Sequence, residues 1–155
     1  MQNKIIIVGP GGSGKDYLRK KFETKGFSFG VLHTSRPQRK EEEEGRDYFF
    51  RNRDFFLDNK EMFVQVQIFN GWFYGLSREE FIMKDLFILS PAGLTGLSHE
   101  DKTNSLVIYL NPPAELRRQR LSARSDADTV DRRISADERD FSAFSEYDIM
   151  ITNIF

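Results

Sequence analysis

The chain has 155 residues, a length typical of one globular domain with its own hydrophobic core. Hydrophobic residues make up 39% and charged residues 30%, and the formal net charge of -1 excludes a general attraction to nucleic acid polymers or membranes. Cysteine is absent, which excludes disulfides and thiolate chemistry, and the first apolar run is too short for a secretory core or a membrane span. We therefore expect a cytoplasmic protein in which any groups that bind anions form local clusters. Composition leaves the oligomeric state open.

The first elements in chain order are a buried strand at Lys4–Val8, a glycine-rich turn, and a helix over residues 16–25. Glycines in such a turn let consecutive N–H groups point inward, the helix N-terminus adds positive potential, and a lysine supplies a mobile cation. A glycine-rich turn with an incidental lysine is the alternative, which the flanking strand and helix disfavour. The turn predicts a site for the phosphates of ATP, formed by Gly9, Pro10, Gly11, Gly12, Ser13, Gly14, Lys15 and Asp16.

The residue after Lys15 is unusual, because phosphate loops normally carry serine or threonine there to bind magnesium. This chain has Asp16 at that position, and it has Ser90 after the apolar run 86–89, where an acid usually supports the metal. The two ligand types look exchanged, which is chemically tolerable because Mg²⁺ prefers oxygen ligands. We therefore predict Asp16 and Ser90 as magnesium ligands. The alternative is that Asp16 only stabilises the start of its helix.

A second phosphate-binding cluster is predicted between residues 33 and 48. Arg36 and Arg39 flank Pro37, and Tyr48 follows a run of glutamates. Two guanidinium groups and a phenol that converge on one point suit a phosphate monoester, because the arginine fork matches phosphate oxygens and stays charged. The alternative is an exposed charged loop in which the arginines pair with glutamates 41–44.

An alternating segment at residues 62–75 interrupts the pattern of buried strands. Apolar residues alternate with Gln65 and Gln67, and Asn70-Gly71 then predicts a tight hairpin turn. Together with residues 48–50, the segment predicts a small antiparallel lobe inserted between the parallel strands. Such a lobe at a sheet edge suits the binding of a second substrate.

The remaining elements return to the first pattern, with helices between buried strands. We predict a helix capped by Ser77 and Glu80, one that Pro113 opens and that runs to about Arg124, and one over residues 128–144. Further strands are predicted at residues 87–89, 105–110 and 148–152. The sequence therefore predicts an α/β fold, a parallel sheet flanked by helices.

The order of these motifs resembles guanylate kinase, from Lys4 to Asn153. The phosphate loop is followed by TSRPQR and GRDYFF, by FVQVQIFNGWFYG, by VIYLNPPAELRRQRLSAR, and by DRRIS and YDIMITN. The resemblance implies a single P-loop NTPase domain with a core at 1–32 and 82–155, a nucleoside monophosphate lobe at about 33–81, and a helical lid at about 122–132. It also implies transfer of the ATP γ-phosphate to a nucleoside monophosphate, with Mg²⁺.

The resemblance carries over well to the groups that contact phosphates. It implies that Lys15, Arg124 and Arg133 act on the transferring phosphoryl group, whose charge spreads over its oxygens. It implies that the acceptor's phosphate is held by Arg36, Arg39, Tyr48 and Tyr74. A serine that helps in the family is replaced by Leu32.

The base-reading positions depart from the family. A glutamate that reads guanine is Gln65 here, a serine after the Tyr-Gly pair is Leu76, and an acid pair is replaced by the segment that begins at Ser90. We therefore count Gln65 and Leu76 among the substrate-binding positions and hypothesise that the acceptor is not GMP. A deoxynucleoside monophosphate is one option, because the Gly-Lys-Asp triplet is similar to that of some phage deoxynucleotide kinases.

Two alternatives stay open at this point. One is a GMP kinase that tolerates the altered base contacts. The other is a catalytically silent interaction module, since guanylate kinase-like folds also serve that role. We favour the enzyme because the chain keeps both sets of phosphate-binding residues.

Overall fold

The computed structural model describes residues 3–123 and 129–153, and two sheets organise them. The larger sheet has four parallel strands in the order β6-β1-β7-β8. The smaller sheet has the order β3-β2-β5-β4. The strands are β1 (Lys4–Val8), β2 (His33–Thr34), β3 (Phe49–Phe50), β4 (Phe63–Phe69), β5 (Trp72–Ser77), β6 (Leu86–Ile88), β7 (Ser105–Leu110) and β8 (Ile149–Ile151). The predicted α/β fold with a parallel sheet is confirmed, with strand ends within about two residues of those expected from the sequence.

Helices cover both faces of the larger sheet. The α-helices of the described residues are α1 (Lys15–Thr24), α2 (Arg53–Asp58), α3 (Arg78–Met83), α4 (Pro91–Thr95), α5 (His99–Thr103), α6 (Ala114–Ser122) and α7 (Val130–Phe141). Of these, α2 packs against β5 of the smaller sheet. The helix predicted over 128–144 is therefore shorter at both ends. The end predicted near Arg124 lies outside the described residues.

Two apolar clusters hold the layers together, because side chains alternate between the faces of a strand. On one face Ile7 and Leu110 are fully buried, and Leu18 and Phe22 of α1 pack against that cluster. On the other face the core includes Phe81, Phe87 and Leu94, with Phe141 of α7 packed against it. Strand β1 lies between β6 and β7, so the phosphate loop that follows it starts from the centre of the core.

The smaller sheet forms the inserted lobe. Its β4–β5 hairpin turns at Asn70 (φ 53°) and Gly71 (φ 83°), and two consecutive left-handed residues are what the Asn-Gly signal predicts. The sheet is mixed rather than purely antiparallel, because β2 pairs with β3 in parallel. No sequence signal distinguished that parallel pair, since each strand has only two residues.

The predicted cap of α3 is half realised. The Ser77 hydroxyl accepts a hydrogen bond from the Glu80 N–H at 3.1 Å, as a capping residue does. The Glu80 carboxylate, however, accepts from the Val31 N–H at 2.8 Å instead of reaching back to its own helix. It therefore joins α3 to the segment that leads into β2.

No helix within residues 3–123 and 129–153 combines the length and the apolar character needed to cross a membrane.

An aromatic cluster buries His33 in the lobe, leaving 7% of the residue exposed. Its ring lies 4.7 Å from the Phe49 ring, stacks on Phe55 at 5.8 Å, and meets the edge of Phe63 at 5.3 Å. Burial, and to a smaller extent the charge of Arg51, lower the pKa of His33 to about 4, while the charge of Glu44 opposes the shift. His33 is therefore neutral at physiological pH and contributes to lobe packing.

We expect this burial to make stability depend on pH. Because the pKa of His33 is lower folded than unfolded, its contribution is complete above about pH 6.5 and is lost as pH falls towards about 4. His33→Phe should remove this component, which amounts to about 2 kcal/mol between pH 7 and pH 4.5. Urea unfolding of both proteins at these two pH values measures it, with His99→Phe at an exposed histidine as the control. Equal pH dependence in wild type and His33→Phe would contradict the assignment.

Candidate active site

The loop after β1 has the backbone geometry of a phosphate-binding loop. Gly12 and Gly14 have φ values of 76° and 98°, which only glycine adopts readily. The Lys15 ammonium turns back over the loop and donates to the Gly9 carbonyl at 2.5 Å and to the Pro10 carbonyl at 3.0 Å. The lysine is thus held at the loop by its own backbone, close to where its charge would meet a phosphate.

A cleft of about 450 Å³ opens at this loop. Two arginines from different helices, Arg120 of α6 and Arg133 of α7, line it together with the loop. The structure therefore brings Arg133 to Lys15, while the predicted Arg124 lies outside the described residues. The lining residues from the loop and the first turn of α1 are Gly11, Gly12, Ser13, Gly14, Lys15, Asp16 and Tyr17.

Arg120 was not singled out from the sequence. Its Nη1 donates to the Gly12 carbonyl at 3.0 Å, so it both lines the cleft and holds the loop. The only sequence signal was the basic run RRQRLSAR, in which nothing distinguishes the arginine that faces the loop from those that face solvent.

The two predicted magnesium ligands occupy different surroundings. Asp16 lies in the first turn of α1 with its side chain 74% exposed, at the cleft and 3.7 Å from the Arg19 Nε. Ser90 caps α4: its hydroxyl accepts from the Gly93 N–H at 3.0 Å and donates to the Gln67 Oε1 at 2.5 Å. Ser90 does not line the cleft. The exposed Asp16 carboxylate beside the loop fits a magnesium ion bound to a nucleotide. The Ser90 hydroxyl fits it less well, because it already makes hydrogen bonds to Gln67 and Gly93.

The arginine cluster of the lobe is pre-organised by one acid. The Glu42 carboxylate accepts from both Arg36 terminal nitrogens, at 3.0 and 2.8 Å, and from the Arg39 N–H at 2.9 Å. The hydrogen bond to Glu42 raises the pKa of Arg36. Burial alone would raise the pKa of Glu42, but the hydrogen bonds from Arg36 and from the Arg39 backbone lower it. Pairing with the glutamate run was the sequence alternative, and for Arg36 that pairing is present.

Two tyrosines complete this cluster. The Arg36 guanidinium lies 5.3 Å from the centre of the Tyr48 ring, and the Tyr48 and Tyr74 rings are 5.9 Å apart. Burial raises the pKa of Tyr48, as does Tyr74 beside it, so the phenol stays protonated and can donate. Three of the four residues predicted to bind the acceptor phosphate therefore lie together. The fourth, Arg39, is exposed at the edge of the same loop.

Neutral amides occupy the position that the resemblance predicts to read the base. Gln65 is 5% exposed, and neither end of its amide has a hydrogen-bond partner among the described residues. A Cβ on Gly93 would lie 3.3 Å from the Gln67 Nε2 and 3.5 Å from the Gln65 Nε2, so both amides end at the first turn of α4. The sequence pattern marks Gln67 only as a neighbour of Gln65. The structure joins it to Ser90.

Leu76 is not part of this surface. It is fully buried in the core cluster with Leu32 and Leu94. The expectation that Leu76 faces a substrate therefore needs correction, because its side chain fills the junction between the lobe and the larger sheet. Alternation along β5 explains the placement, since Tyr74 and Leu76 share one face and the strand deepens towards the core.

Comparison with known proteins agrees with this geometry. The sequence matches the guanylate kinase family over residues 1–154. The chain belongs to the guanylate kinase family. This family member is 29% identical over 166 residues to guanylate kinase of Sus scrofa, covering 96% of this chain and 83% of the relative. It is 30% identical over 165 residues to guanylate kinase of Legionella pneumophila strain Paris, covering 97% of this chain and 78% of the relative.

The fold agrees with a solved structure of the family as well. The crystal structure of guanylate kinase from Anaplasma phagocytophilum superposes with a TM-score of 0.76 at 22% identity, covering 98% of this chain and 77% of that chain. The resemblance expected from the motifs is confirmed. The chain is a member of a phosphotransferase family whose fold combines the phosphate loop with an inserted lobe.

The paired geometry of Arg36 makes a specific prediction. Lysine keeps the charge but cannot bond Glu42 with two nitrogens or stack on Tyr48. We expect Arg36→Lys to raise the KM for a nucleoside monophosphate about tenfold and to leave the KM for ATP within about twofold. Steady-state kinetics checks this, with Arg46→Lys at an exposed arginine of the same loop as the control. A shift in the ATP KM of equal size would contradict a role for Arg36 in acceptor binding.

Proposed function

We propose that this protein transfers the γ-phosphate of ATP to a nucleoside or deoxynucleoside monophosphate. The observation that supports the proposal is the coexistence of two clusters of cationic side chains in one small domain. One is the loop cleft with Lys15, Arg120 and Arg133. The other is the cluster in which Glu42 and Tyr48 orient Arg36. Phosphoryl transfer needs positioning and charge neutralisation on both the donor and the acceptor, which two such sites supply.

We assign the two substrates to the two sheets. In this proposal the core at 1–32 and 82–155 binds ATP, the lobe at about 33–81 binds the monophosphate, and the segment at about 122–132 is the lid. The positions of Arg120 and Arg133 support this assignment. Both line the loop cleft, Arg120 from the helix before that segment and Arg133 from the helix after it. Catalysis then rests on cations that meet the charge spreading over the transferring group.

Asp16 is the proposed protein ligand for Mg²⁺. The Asp16 carboxylate would hold the ion, whose charge would offset the negative charge of the ATP phosphates. The carboxylate lies at the mouth of the loop, in the first helical turn, where the helix dipole favours negative charge. Ser90 is less suited to this role, since Gln67 and Gly93 already engage its hydroxyl.

The acceptor base is the finer part of the proposal. The similarity to relatives named guanylate kinase supports GMP as one acceptor of this chain. Guanine presents two adjacent donors, N1–H and the 2-amino group, and a carboxylate can accept both whereas the Gln65 amide can accept only one. Gln65 can also donate, which suits the donor and acceptor edges of other bases. We therefore propose that GMP is accepted together with other monophosphates, without the strong selectivity that a carboxylate gives.

A silent interaction module is the rival function. It would have no use for a triphosphate loop and a monophosphate cluster together. The pre-organised state of both sites therefore supports the enzyme, since the Lys15 ammonium and the Arg36 guanidinium are each held by hydrogen bonds.

The test is ADP release from ATP and Mg²⁺ with a panel of ribo- and deoxynucleoside monophosphates. We expect turnover with several of them, with kcat/KM for GMP within about tenfold of the best other acceptor. Gln65→Glu should raise the preference for GMP about tenfold, because the carboxylate accepts both guanine donors. Gln119→Glu, the same change at an exposed site on α6, is the control. Turnover with none supports the silent module, and more than about a thousandfold preference of the wild type for GMP contradicts the selectivity proposed.

Asp16→Asn tests the proposed metal role of this residue. Asparagine keeps the size of the side chain but loses the charge, which both attracts Mg²⁺ and suits the helix dipole. We expect the Mg²⁺ concentration for half-maximal activity to rise at least about fivefold, with lower turnover. Asp54→Asn in the first turn of α2 is the matched control. An unchanged Mg²⁺ titration with Asp16→Asn would leave Asp16 only the stabilisation of its helix.

A further inference from the structure

A partly buried carboxylate, that of Asp137, accepts a hydrogen bond from the backbone of the phosphate loop. The Gly11 N–H donates to the Asp137 Oδ2 at 2.9 Å, across 126 positions of the chain. The same oxygen lies 3.9 Å from the Nη1 of Arg117, whose side chain is 7% exposed. Asp137 and Arg117 thus form an internal ion pair between α7 and α6 that ends on the loop backbone.

The hydrogen bond to Asp137 fixes one peptide plane. In a trans peptide the carbonyl and the N–H point in opposite directions, and the whole unit is rigid. The Gly11 N–H shares its peptide with the Pro10 carbonyl. That carbonyl accepts from the Lys15 ammonium at 3.0 Å and from the Ser13 N–H at 3.2 Å. The hydrogen bond to Asp137 therefore also determines the position of the Pro10 carbonyl, which accepts from the Lys15 ammonium.

The Gly12–Ser13 peptide is held in a similar way. The Gly12 carbonyl accepts from the Arg120 Nη1 at 3.0 Å. A Cβ at Gly12 would lie 2.9 Å from the Arg117 carbonyl oxygen, so α6 packs directly on the loop. The backbone of Gly11 and Gly12 is therefore bound to both helices. The Gly11 N–H is bound to α7, and the Gly12 carbonyl is bound to α6.

Asp137 also fixes α7 relative to the cleft. It lies four residues after Arg133, one helical turn along the same face. Anchoring Asp137 on the Gly11 N–H therefore sets the distance from the loop at which Arg133 enters the cleft. A carboxylate in this place carries a cost, since it adds negative charge near a triphosphate, and the buried Arg117 offsets that charge.

We propose that Asp137 is a positioning residue for phosphoryl transfer, which acts through the Pro10–Gly11 peptide on Lys15 and through α7 on Arg133. This role rests on the proposed ATP-dependent function and concerns the donor site alone. Asp137 touches no reacting atom. Its loss should therefore alter ATP binding and turnover while the acceptor site keeps its affinity.

Two substitutions distinguish this role from simple charge balance. Asp137→Ala and Asp137→Asn both leave Arg117 without its partner charge, but asparagine keeps an oxygen that can accept from the Gly11 N–H. We expect Asp137→Ala to raise the KM for ATP about tenfold and to lower kcat about tenfold, with the acceptor KM within about twofold. Asp137→Asn should stay within about threefold of wild type in each constant. Asp140→Ala, at an exposed aspartate of the same helix, is the control.

The outcomes are decisive in either direction. Equal losses in Asp137→Ala and Asp137→Asn, or an acceptor KM that rises as much as the ATP KM, would overturn the proposal. If Asp137→Ala fails to fold by urea unfolding, Arg117→Met combined with Asp137→Ala replaces it, because the pair removes both charges and the same acceptor.

Equilibrium binding of ATP separates this inference from the proposed function. A wild type that binds ATP but phosphorylates no monophosphate contradicts the kinase function. In that case weaker ATP binding by Asp137→Ala, about tenfold, with near wild-type binding by Asp137→Asn, still supports the positioning role. Equal binding by the two variants overturns it.

Discussion

The structure depends on the backbone of the loop that follows β1. Its left-handed glycines, Gly12 and Gly14, set a path on which N–H groups and the Lys15 ammonium meet at one place. The central position of β1 in the parallel sheet makes that place rigid, because the strands on both sides fix the end from which the loop departs and Ile6, Ile7 and Val8 are fully buried. The helices that carry Arg120 and Arg133 are oriented by contact with the same loop.

Charge is organised locally in a chain with almost no net charge. Arg36 is paired with Glu42 and Arg117 with Asp137, so two arginines near the proposed phosphate sites are held by carboxylates in defined geometry. A fixed guanidinium loses less conformational freedom when it meets a phosphate, which favours binding. The arrangement also explains why overall composition gave no sign of anion binding.

Much of this was readable from the sequence, and the remainder has a common physical reason. Short-range signals predicted the phosphate loop, the buried strands and the turn at Asn70. Contacts between distant segments were not predictable, among them the Glu80 bond to the lobe entry and the Asp137 bond to Gly11. Both acids lie in charged helical segments, where neighbouring residues are alike in sequence and differ only in the face of the helix on which they lie. Which face packs inward is decided by the tertiary structure. The burial of Leu76 is of the same kind.

The central claim is that the loop cleft and the lobe cluster act on one phosphoryl group. Tracing the label from γ-phosphate-labelled ATP in the presence of Mg²⁺ and a nucleoside monophosphate tests it most directly. The account predicts label in the β-phosphate of the nucleoside diphosphate, and loss of that transfer in Lys15→Met. Label released only as inorganic phosphate, or retained in ATP for every monophosphate tried, would contradict it.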